Sequence, residues 1–92
     1  MSKAKGRRNE HKAMRILQAA GYHVTRAAGS LGMFDVMAIN AQGVRLIQVK
    51  TNRDASPLER EAIGLFDGLP ANATKEVWIF LDYVRAPVIK TL

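Results

Sequence analysis

The chain has 92 residues, of which 48% are apolar and 24% charged, so it has the composition of one small folded domain and not of a disordered chain. It contains no cysteine, which excludes a disulfide scaffold, a thiol nucleophile and a cysteine-ligated zinc site. The net charge of +6 is concentrated in residues 1–53, which hold ten Lys/Arg and two acids, so a polyanion such as nucleic acid is the expected partner.

The first predicted element is a helix from about Asn9 to Ala20, preceded by a basic N-terminal arm at residues 1–8. Its apolar positions recur at the spacing of one helical face: Ala13, Ile16, Leu17 and Ala20. Gly21 follows at the position where a helix end favours a left-handed residue. We find no linker or repeat, so residues 1–92 are expected to form one domain.

Three strands are predicted next, because each segment is rich in β-branched and aromatic residues: Tyr22–Ala27, Phe34–Ile39 and Val44–Thr51. Residues 29–32 are expected to form a turn between the first two strands and mostly fall outside the residues described below. Residues 40–43 connect the second and third strands as a hairpin that ends in a permissive glycine.

A second helix begins at the sequence Ser56-Pro57-Leu58-Glu59, which is a capping box with proline at the first helical position. The predicted buried stripe of this helix is Leu58, Ala62, Leu65, Phe66 and Leu69. Gly68 and Pro70 are expected to end it.

Two further strands complete the predicted order of elements. Glu76–Tyr83 is almost continuously apolar and suits a strand covered on both faces, so Trp78 and Phe80 are expected in the core or in a subunit contact. Pro87–Thr91 is a possible edge strand.

The predicted hairpin brings together three polar side chains. Gln48 and Lys50 project from the same face of the third strand because side chains alternate along it. If Ile39 lies opposite Val44, Asp35 lies opposite Gln48 and shares that face. A register shifted by one residue would place Asp35 beside a valine and scatter the polar set.

Glu10 is a further candidate, because it lies one helical turn before the buried stripe of the first helix and points toward Asp35 if that helix packs on the sheet. An exposed glutamate that interacts with the helix dipole explains Glu10 nearly as well. Oxygen ligands from Asp35, Gln48 and Glu10 suit Mg²⁺, and a lysine beside such a metal orients water and offsets charge on a phosphate. This set predicts phosphodiester hydrolysis.

The spacing of Asp35 and Gln48-Val49-Lys50, with an upstream helical glutamate, resembles the PD-(D/E)xK nuclease core, whose elements run in the same α-β-β-β-α-β order. More narrowly, residues 6–10 and 24–38 resemble archaeal-type Holliday junction resolvases and the related virus-type replication-repair nucleases. The resemblance implies an α/β, restriction-endonuclease-like fold with a mixed central sheet flanked by helices. It also implies a metal-dependent endonuclease that acts on branched DNA in recombination, repair or phage genome processing.

The resemblance also implies roles for particular residues. Glu10, Asp35, Gln48 and Lys50 would form the metal and catalytic set, with the backbone carbonyl of Val49 as a further metal ligand. Ser30 would lie near the scissile phosphate and take part in catalysis. The residues expected to contact DNA are Lys5, Arg7, Arg8, Lys12, Arg26, Ser30 and Arg53.

The cofactor expected from this resemblance is Mg²⁺, with Mn²⁺ able to substitute, and the expected assembly is a homodimer that cuts branched or duplex DNA to leave a 5′-phosphate. No membrane partner is expected, because no apolar run approaches the ~20 residues that cross a bilayer, and the expected location is the cytoplasm.

One departure from the family pattern leaves other functions open. Gln48 stands where such nucleases usually have Glu or Asp, and its neutral amide should weaken Mg²⁺ binding. The alternatives are a flap or duplex nuclease of the virus-type class and a DNA-binding module without nuclease activity. An RNA-associated basic protein would explain the charge but not the polar set of the hairpin.

Overall fold

The chain folds around one mixed β-sheet with a helix on each face. A computed structural model describes residues 3–27 and 32–92. Its elements are α1 (Lys3–Ala19), β1 (His23–Arg26), β2 (Val36–Asn40), β3 (Gly43–Thr51), α2 (Pro57–Leu65), β4 (Ala73–Phe80) and β5 (Val88–Thr91). The strands lie in the order β1-β2-β3-β4-β5, and only β3 and β4 pair in parallel. The α/β class and the order of elements predicted from the sequence are confirmed.

The register of the β2–β3 hairpin is the one predicted, since Ile39 pairs with Val44. The turn is tighter than predicted, because Asn40 also pairs with Gly43 and only two residues remain in the loop. Gly43 has a φ of +155°, and a Cβ there would lie 2.1 Å from the backbone oxygen of Asn72. Glycine is therefore required at this position, because the segment before β4 that contains Asn72 lies directly against the turn.

Helix α1 covers one face of the sheet through a stripe spaced by four residues. Ala13 and Leu17 are buried in a cluster with residues of β2, β3 and β4, among them Val36, Ala38, Ile47, Trp78 and Phe80. Two members of the predicted stripe are exposed instead, namely Ile16 and Ala20. Asn9 is buried in their place, and its side-chain amide donates a hydrogen bond of 2.8 Å to the Thr51 hydroxyl.

Helix α1 begins at Lys3, so two predictions for this end of the chain are wrong. The helix starts six residues before Asn9, and residues 3–8 belong to it instead of forming an arm. Lysine, alanine and arginine are favourable in helices, and no proline interrupts this segment. Lys5, Arg7 and Arg8 therefore project from the helix instead of from a separate arm.

Helix α2 packs on the opposite face with its capping box intact. Ser56 accepts from the Glu59 amide while the Glu59 carboxylate accepts from the Ser56 amide, as predicted. The predicted stripe is wrong at Leu58 and Leu65, which are 78% and 74% exposed, and at the exposed Ala62. Ile63 is buried instead, while the predicted Phe66 and Leu69 do pack against the core. The helix also ends at Leu65 instead of near Gly68, since the chain becomes extended at the next residue.

Strand β4 is buried from Glu76 to Phe80, which confirms a strand covered on both faces. Its bounds differ from those predicted: it begins at Ala73 and ends before a turn in which Tyr83 has a φ of +64°. Trp78 and Phe80 lie in the core on the α1 face. Strand β5 forms the predicted edge, and its side chains are exposed.

An ion pair links the two parallel strands on the α1 face. Two nitrogens of Arg45 lie 2.7 and 2.8 Å from the carboxylate oxygens of Glu76, and the guanidinium also lies over the rings of Tyr22 and Trp78. Burial raises the pKa of Glu76, but hydrogen bonds from Arg45, Thr74 and Trp78 outweigh it, and the pKa is lowered. The carboxylate is therefore satisfied as a structural group.

Candidate active site

One end of the sheet gathers the candidate residues. Strands β1, β3 and β4 end there, β2 begins there, and α2 begins beyond it. The first turns of α1 reach the same end, because Asn9 bonds Thr51 at the end of β3 and Lys5 forms a 2.9 Å ion pair with Asp82 just after β4. The site is thus built where four strands meet two helices.

Asp35 is held beside β3 by two backbone contacts. Its amide donates to the Ile47 carbonyl at 2.8 Å, and Val36, the first residue of β2, also pairs with Ile47, so the direct pairing of Asp35 with Gln48 stays a prediction. Its carboxylate accepts the Val49 amide, also at 2.8 Å. Burial raises the pKa of the Asp35 carboxyl; the Val49 amide opposes this effect, and the charge of Glu10 adds to it. A cation would relieve this unfavourable burial of charge.

Gln48 presents an unpaired oxygen next to Asp35. The side chain is only 7% exposed, and its amide nitrogen donates to the Met33 carbonyl at 3.2 Å. That bond orients the amide and leaves the oxygen Oε1 buried without a hydrogen-bond partner among the described residues. A buried acceptor is almost always satisfied in folded proteins. An amide oxygen beside a carboxylate therefore fits a divalent metal that prefers oxygen ligands.

Lys50 projects from the same face as Gln48 and is 9% exposed. Its Nζ donates to Glu59 Oε2 at 2.6 Å, while the other oxygen of Glu59 accepts the Ser56 amide at 2.8 Å. The hydrogen bond from Lys50 is the main reason that the pKa of Glu59 falls to about 2. Glu59 was identified in the sequence only as part of the capping box, and this contact with Lys50 carried no local sequence signal.

Glu10 approaches from the α1 side and does not contact the hairpin set. Its carboxylate pairs with Arg26 at 3.1 Å, and its charge is near enough to raise the pKa of Asp35. In the part of the chain that the structure describes, no three His, Cys, Asp or Glu residues form a group that could hold a metal. The candidate set of Asp35, Gln48 and Lys50 is not such a group, because its oxygen ligand at position 48 would be an amide.

The comparisons with known proteins agree with this geometry. A search of curated proteins gives no match. The family model described as archaeal Holliday junction resolvase (Hjc) matches residues 1–80, which is most of the chain. The chain belongs to the archaeal Holliday junction resolvase family.

Among solved structures, the chain is similar to Hjc, a Holliday junction resolvase from the archaeal hyperthermophile Archaeoglobus fulgidus. The identity is 25%, the TM-score is 0.71, and the match covers 96% of this chain and 71% of that chain. As a member of this family, the chain is a Holliday-junction-resolving endonuclease of the PD-(D/E)xK superfamily, and its nuclease chemistry requires a divalent metal. The resemblance drawn from the sequence is confirmed.

The basic residues expected to meet DNA occupy different surroundings in this resolvase. Arg7, Arg8 and Lys12 are exposed along α1. Arg26 contacts Glu10, and Arg53 lies 3.9 Å from Glu59 at the edge of the site. Lys5 is paired with Asp82, and Ser30 lies outside the described residues.

A clamp behind the resolvase site was not predicted. The backbone N–H of Asn52, which has a φ of +59°, donates a hydrogen bond of 2.8 Å to the Phe80 carbonyl. Its side chain makes two more bonds of 2.9 and 3.0 Å with Asp82. The clamp fixes the turn after β4 to the strand that carries Lys50.

Of the helices that the structure describes, none has the length and apolar character needed to cross a membrane.

Proposed function

We propose that this resolvase hydrolyses the DNA backbone at four-way junctions with Mg²⁺ bound between Asp35 and Gln48, and that Mn²⁺ can replace it. The observation that carries this proposal is the buried, unpaired oxygen of Gln48 together with the half-buried carboxylate of Asp35, which accepts the amide of the next residue, Val49. The Val49 carbonyl and Glu10 complete the proposed ligands. Ser30 is proposed near the scissile phosphate, and residues 1–92 are proposed to act as one nuclease domain.

Each protein group has a distinct part in the proposed reaction. A bound divalent metal supplies Lewis-acid polarisation of the phosphate and lowers the pKa of a water. Asp35 is already oriented by the Val49 amide, so no rearrangement of its carboxylate is needed. Lys50 offers a positive charge to the phosphate as negative charge develops on its oxygens.

The proposed DNA contacts lie around this site. Lys5, Arg7, Arg8, Lys12, Arg26 and Arg53 are proposed to hold backbone phosphates, which explains why the first half of the chain is so basic. These contacts are electrostatic and position the duplex without reading its sequence. Recognition of the branched shape of the substrate must then come from features other than these phosphate contacts.

We also propose that the active assembly is a homodimer, because a four-way junction requires two cuts on opposing strands. Leu58, Ala62 and Leu65 form an apolar stripe on the outer face of α2, and two of them are more than 70% exposed. A double variant, Leu58→Glu with Leu65→Glu, should sediment as a monomer and remain folded, since neither side chain is buried. An unchanged sedimentation coefficient would remove this surface from the interface.

The test of the nuclease function compares four-way, flap and linear substrates labelled on every strand, with Mg²⁺, Mn²⁺ or a chelator. Paired symmetric nicks in the four-way substrate, absent with chelator, are the expected result. Lys50→Ala should abolish cutting and leave junction affinity nearly unchanged, because Lys50 acts on the transition state. Equal loss of cutting and affinity would instead make Lys50 a phosphate anchor.

A junction-binding protein without nuclease activity is the second candidate, and it is favoured by the neutral Gln48 at the position of an acid. In that case the wild-type chain binds the four-way substrate with high affinity, and no metal produces a nick in any substrate. Preferential cutting of the flap or linear substrate would instead identify a nuclease of the virus-type class.

A further inference from the structure

A basic groove continues from the candidate active site along α1. A depression at the end of β3 is lined by Lys50, Arg53 and Lys5. Lys5 also lines a groove of about 440 Å³ between α1 and the turn after β4, and Lys12 and Arg85 carry this surface farther along the helix. The two depressions share Lys5, so they adjoin at this residue, and we treat them together as one track that starts beside Lys50.

The groove has the chemistry of a nucleic-acid track. Four cationic side chains line it against one carboxylate: Lys5, Arg8, Lys12 and Arg85 against Asp82. That carboxylate already accepts hydrogen bonds from Lys5 and Asn52. The net positive charge of the lining complements a phosphate backbone and not a neutral or cationic partner.

Tyr83 stands at the rim of this groove with its side chain wholly exposed, at 106% of the reference area. It occupies a left-handed position, φ +64°, in the turn that Asn52 fastens to the end of β3. The backbone of this turn is therefore anchored beside the track, and the exposed ring contributes nothing to the core. An aromatic ring beside a cationic groove is the usual platform on which an unstacked base packs.

We propose that a DNA arm leaves the active site along this groove and that Tyr83 stacks on a base exposed at the branch point. Arg8, Lys12 and Arg85 contact the phosphates of that arm. The inference rests on the proposed function and deepens it, because it gives the protein a means of distinguishing a junction from a continuous duplex. A continuous duplex offers no unstacked base, so it gains only the electrostatic contacts.

The test measures binding of the full chain to a four-way junction and to a linear duplex in the presence of chelator, so that no cutting interferes. A fluorescent adenine analogue at the branch point reports stacking. Tyr83→Ala should weaken junction binding about tenfold, leave duplex binding unchanged and abolish the fluorescence change. Tyr83→Phe keeps the ring and should behave as the wild type.

Arg85→Ala should weaken binding to both substrates and lower the slope of log affinity against log salt by about 0.9. Lys90→Ala is the matched control, because it removes one charge from the other face, where Lys90 pairs with Asp54. Equal loss on both substrates in Tyr83→Ala, or no loss on either, would overturn the stacking proposal. Because these measurements need no cleavage, they separate this inference from failure of the nuclease proposal.

A different observation carries a second inference, which concerns Lys50. A lysine stem is flexible, and its ammonium is useful to a phosphate only if it is held in place. Glu59 Oε2 holds the Lys50 ammonium at 2.6 Å, and the Glu59 carboxylate is itself fixed by the backbone amide of residue 56 at 2.8 Å. We infer that Glu59 is a positioning residue that couples the start of α2 to Lys50.

The matched variants separate this role from helix capping. Glu59→Gln keeps an oxygen for the Ser56 amide but weakens the contact with Lys50, so kcat should fall about tenfold with KM within a factor of two. Ser56→Ala breaks the other half of the capping box and should leave kcat unchanged. Equal loss of kcat in both variants, a rise in KM alone, or an unchanged kcat in Glu59→Gln would overturn the inference. Cutting retained by Lys50→Ala would instead contradict the proposed function.

Discussion

At the scale of single residues, the candidate site lowers the stability of the folded protein when no ligand is bound. Asp35 carries its charge in a partly buried position, and Gln48 keeps a buried acceptor without a partner in the described part of the chain. Both features oppose folding, because desolvated polar groups need compensation. Both features support the cation site proposed here.

Replacing Asp35 by asparagine should increase the stability of the metal-free protein at pH 7. Burial raises the native pKa of Asp35 above its ordinary 3.8, so the native state binds this proton more tightly than the unfolded chain. The contribution of Asp35 to the free energy of unfolding is therefore most favourable below pH 3.8, and it is lost as the pH rises through the native pKa. Asparagine has no such charge and still accepts the Val49 amide.

Thermal unfolding of both forms across the acid range checks this prediction. The advantage of Asp35→Asn should disappear as the pH falls below 3.8, where the wild-type carboxyl is neutral in both states. Added Mg²⁺ should stabilise the wild type and leave the variant unchanged. An Asp35→Asn variant less stable than the wild type at pH 7 would contradict the burial argument.

Gln48→Glu should strengthen metal binding about tenfold, because it adds a negative charge to an oxygen ligand set. The same change places a second carboxylate beside Asp35, so the metal-free protein should lose about 1 kcal/mol of stability. Isothermal titration with Mn²⁺ measures the first effect, and urea unfolding with chelator measures the second. An unchanged metal affinity would argue against Gln48 as a ligand.

The hairpin residues were predictable because their relation is local. Gln48 and Lys50 share a face because side chains alternate along β3, and the predicted β2–β3 register brings Asp35, just before β2, to this end of β3. Glu59 was recognised only as a cap, since its contact with Lys50 depends on how α2 lies over the sheet. Tyr83 was placed in a strand, because its aromatic ring favours strands and its left-handed backbone leaves no pattern in the sequence.

At the scale of elements, the two helices show why amphipathic patterns misplace helix faces. In α2, Leu58 and Leu65 form one apolar stripe and Ile63 lies on another face, so apolar spacing alone does not show which face is buried. The contact of Glu59 with Lys50 is compatible only with the second orientation. In α1, the buried position at Asn9 follows from a hydrogen bond to Thr51, which no apolar spacing can indicate.

The β2–β3 turn should tolerate no side chain at Gly43. A Cβ would overlap the Asn72 backbone oxygen, and the positive φ adds strain, so Gly43→Ala should cost about 1–3 kcal/mol. Gly64→Ala is the control, since a Cβ at this position of α2 meets nothing within 4 Å and should stabilise the helix by about 0.5–1 kcal/mol. Urea unfolding measures both, and equal effects would refute the contact with Asn72.

At the scale of the whole molecule, charge and chemistry are concentrated at one end of the sheet. The basic half of the sequence supplies α1, β2 and β3, and the later half supplies the cap of α2 and the turn after β4. The order of elements was predictable because the helical and strand segments differ clearly in apolar spacing and in β-branched content. The meeting of the Asp82 turn with Asn52 was not, because it joins segments thirty residues apart.

Neutralising the exposed charges of α1 should flatten the salt dependence of DNA binding. Arg7→Gln, Arg8→Gln and Lys12→Gln together should lower the slope of log affinity against log salt by up to about 2.7, at 0.9 per phosphate contact. Deleting residues 1–8 is a poorer test, because it removes part of α1 and the ion pair of Lys5 with Asp82. Fluorescence anisotropy across a salt series measures the slope, and an unchanged slope would exclude α1 from the interface.

The bond between the Val49 amide and the Asp35 carboxylate has a practical consequence. The peptide nitrogen of Val49 senses the electron density of that carboxylate directly, although it belongs to the backbone of a central strand. Its NMR resonance is thus an intrinsic gauge of occupancy. Arrival of an ion at the carboxylate can be followed in the unaltered protein, with neither nucleic acid nor turnover in the sample.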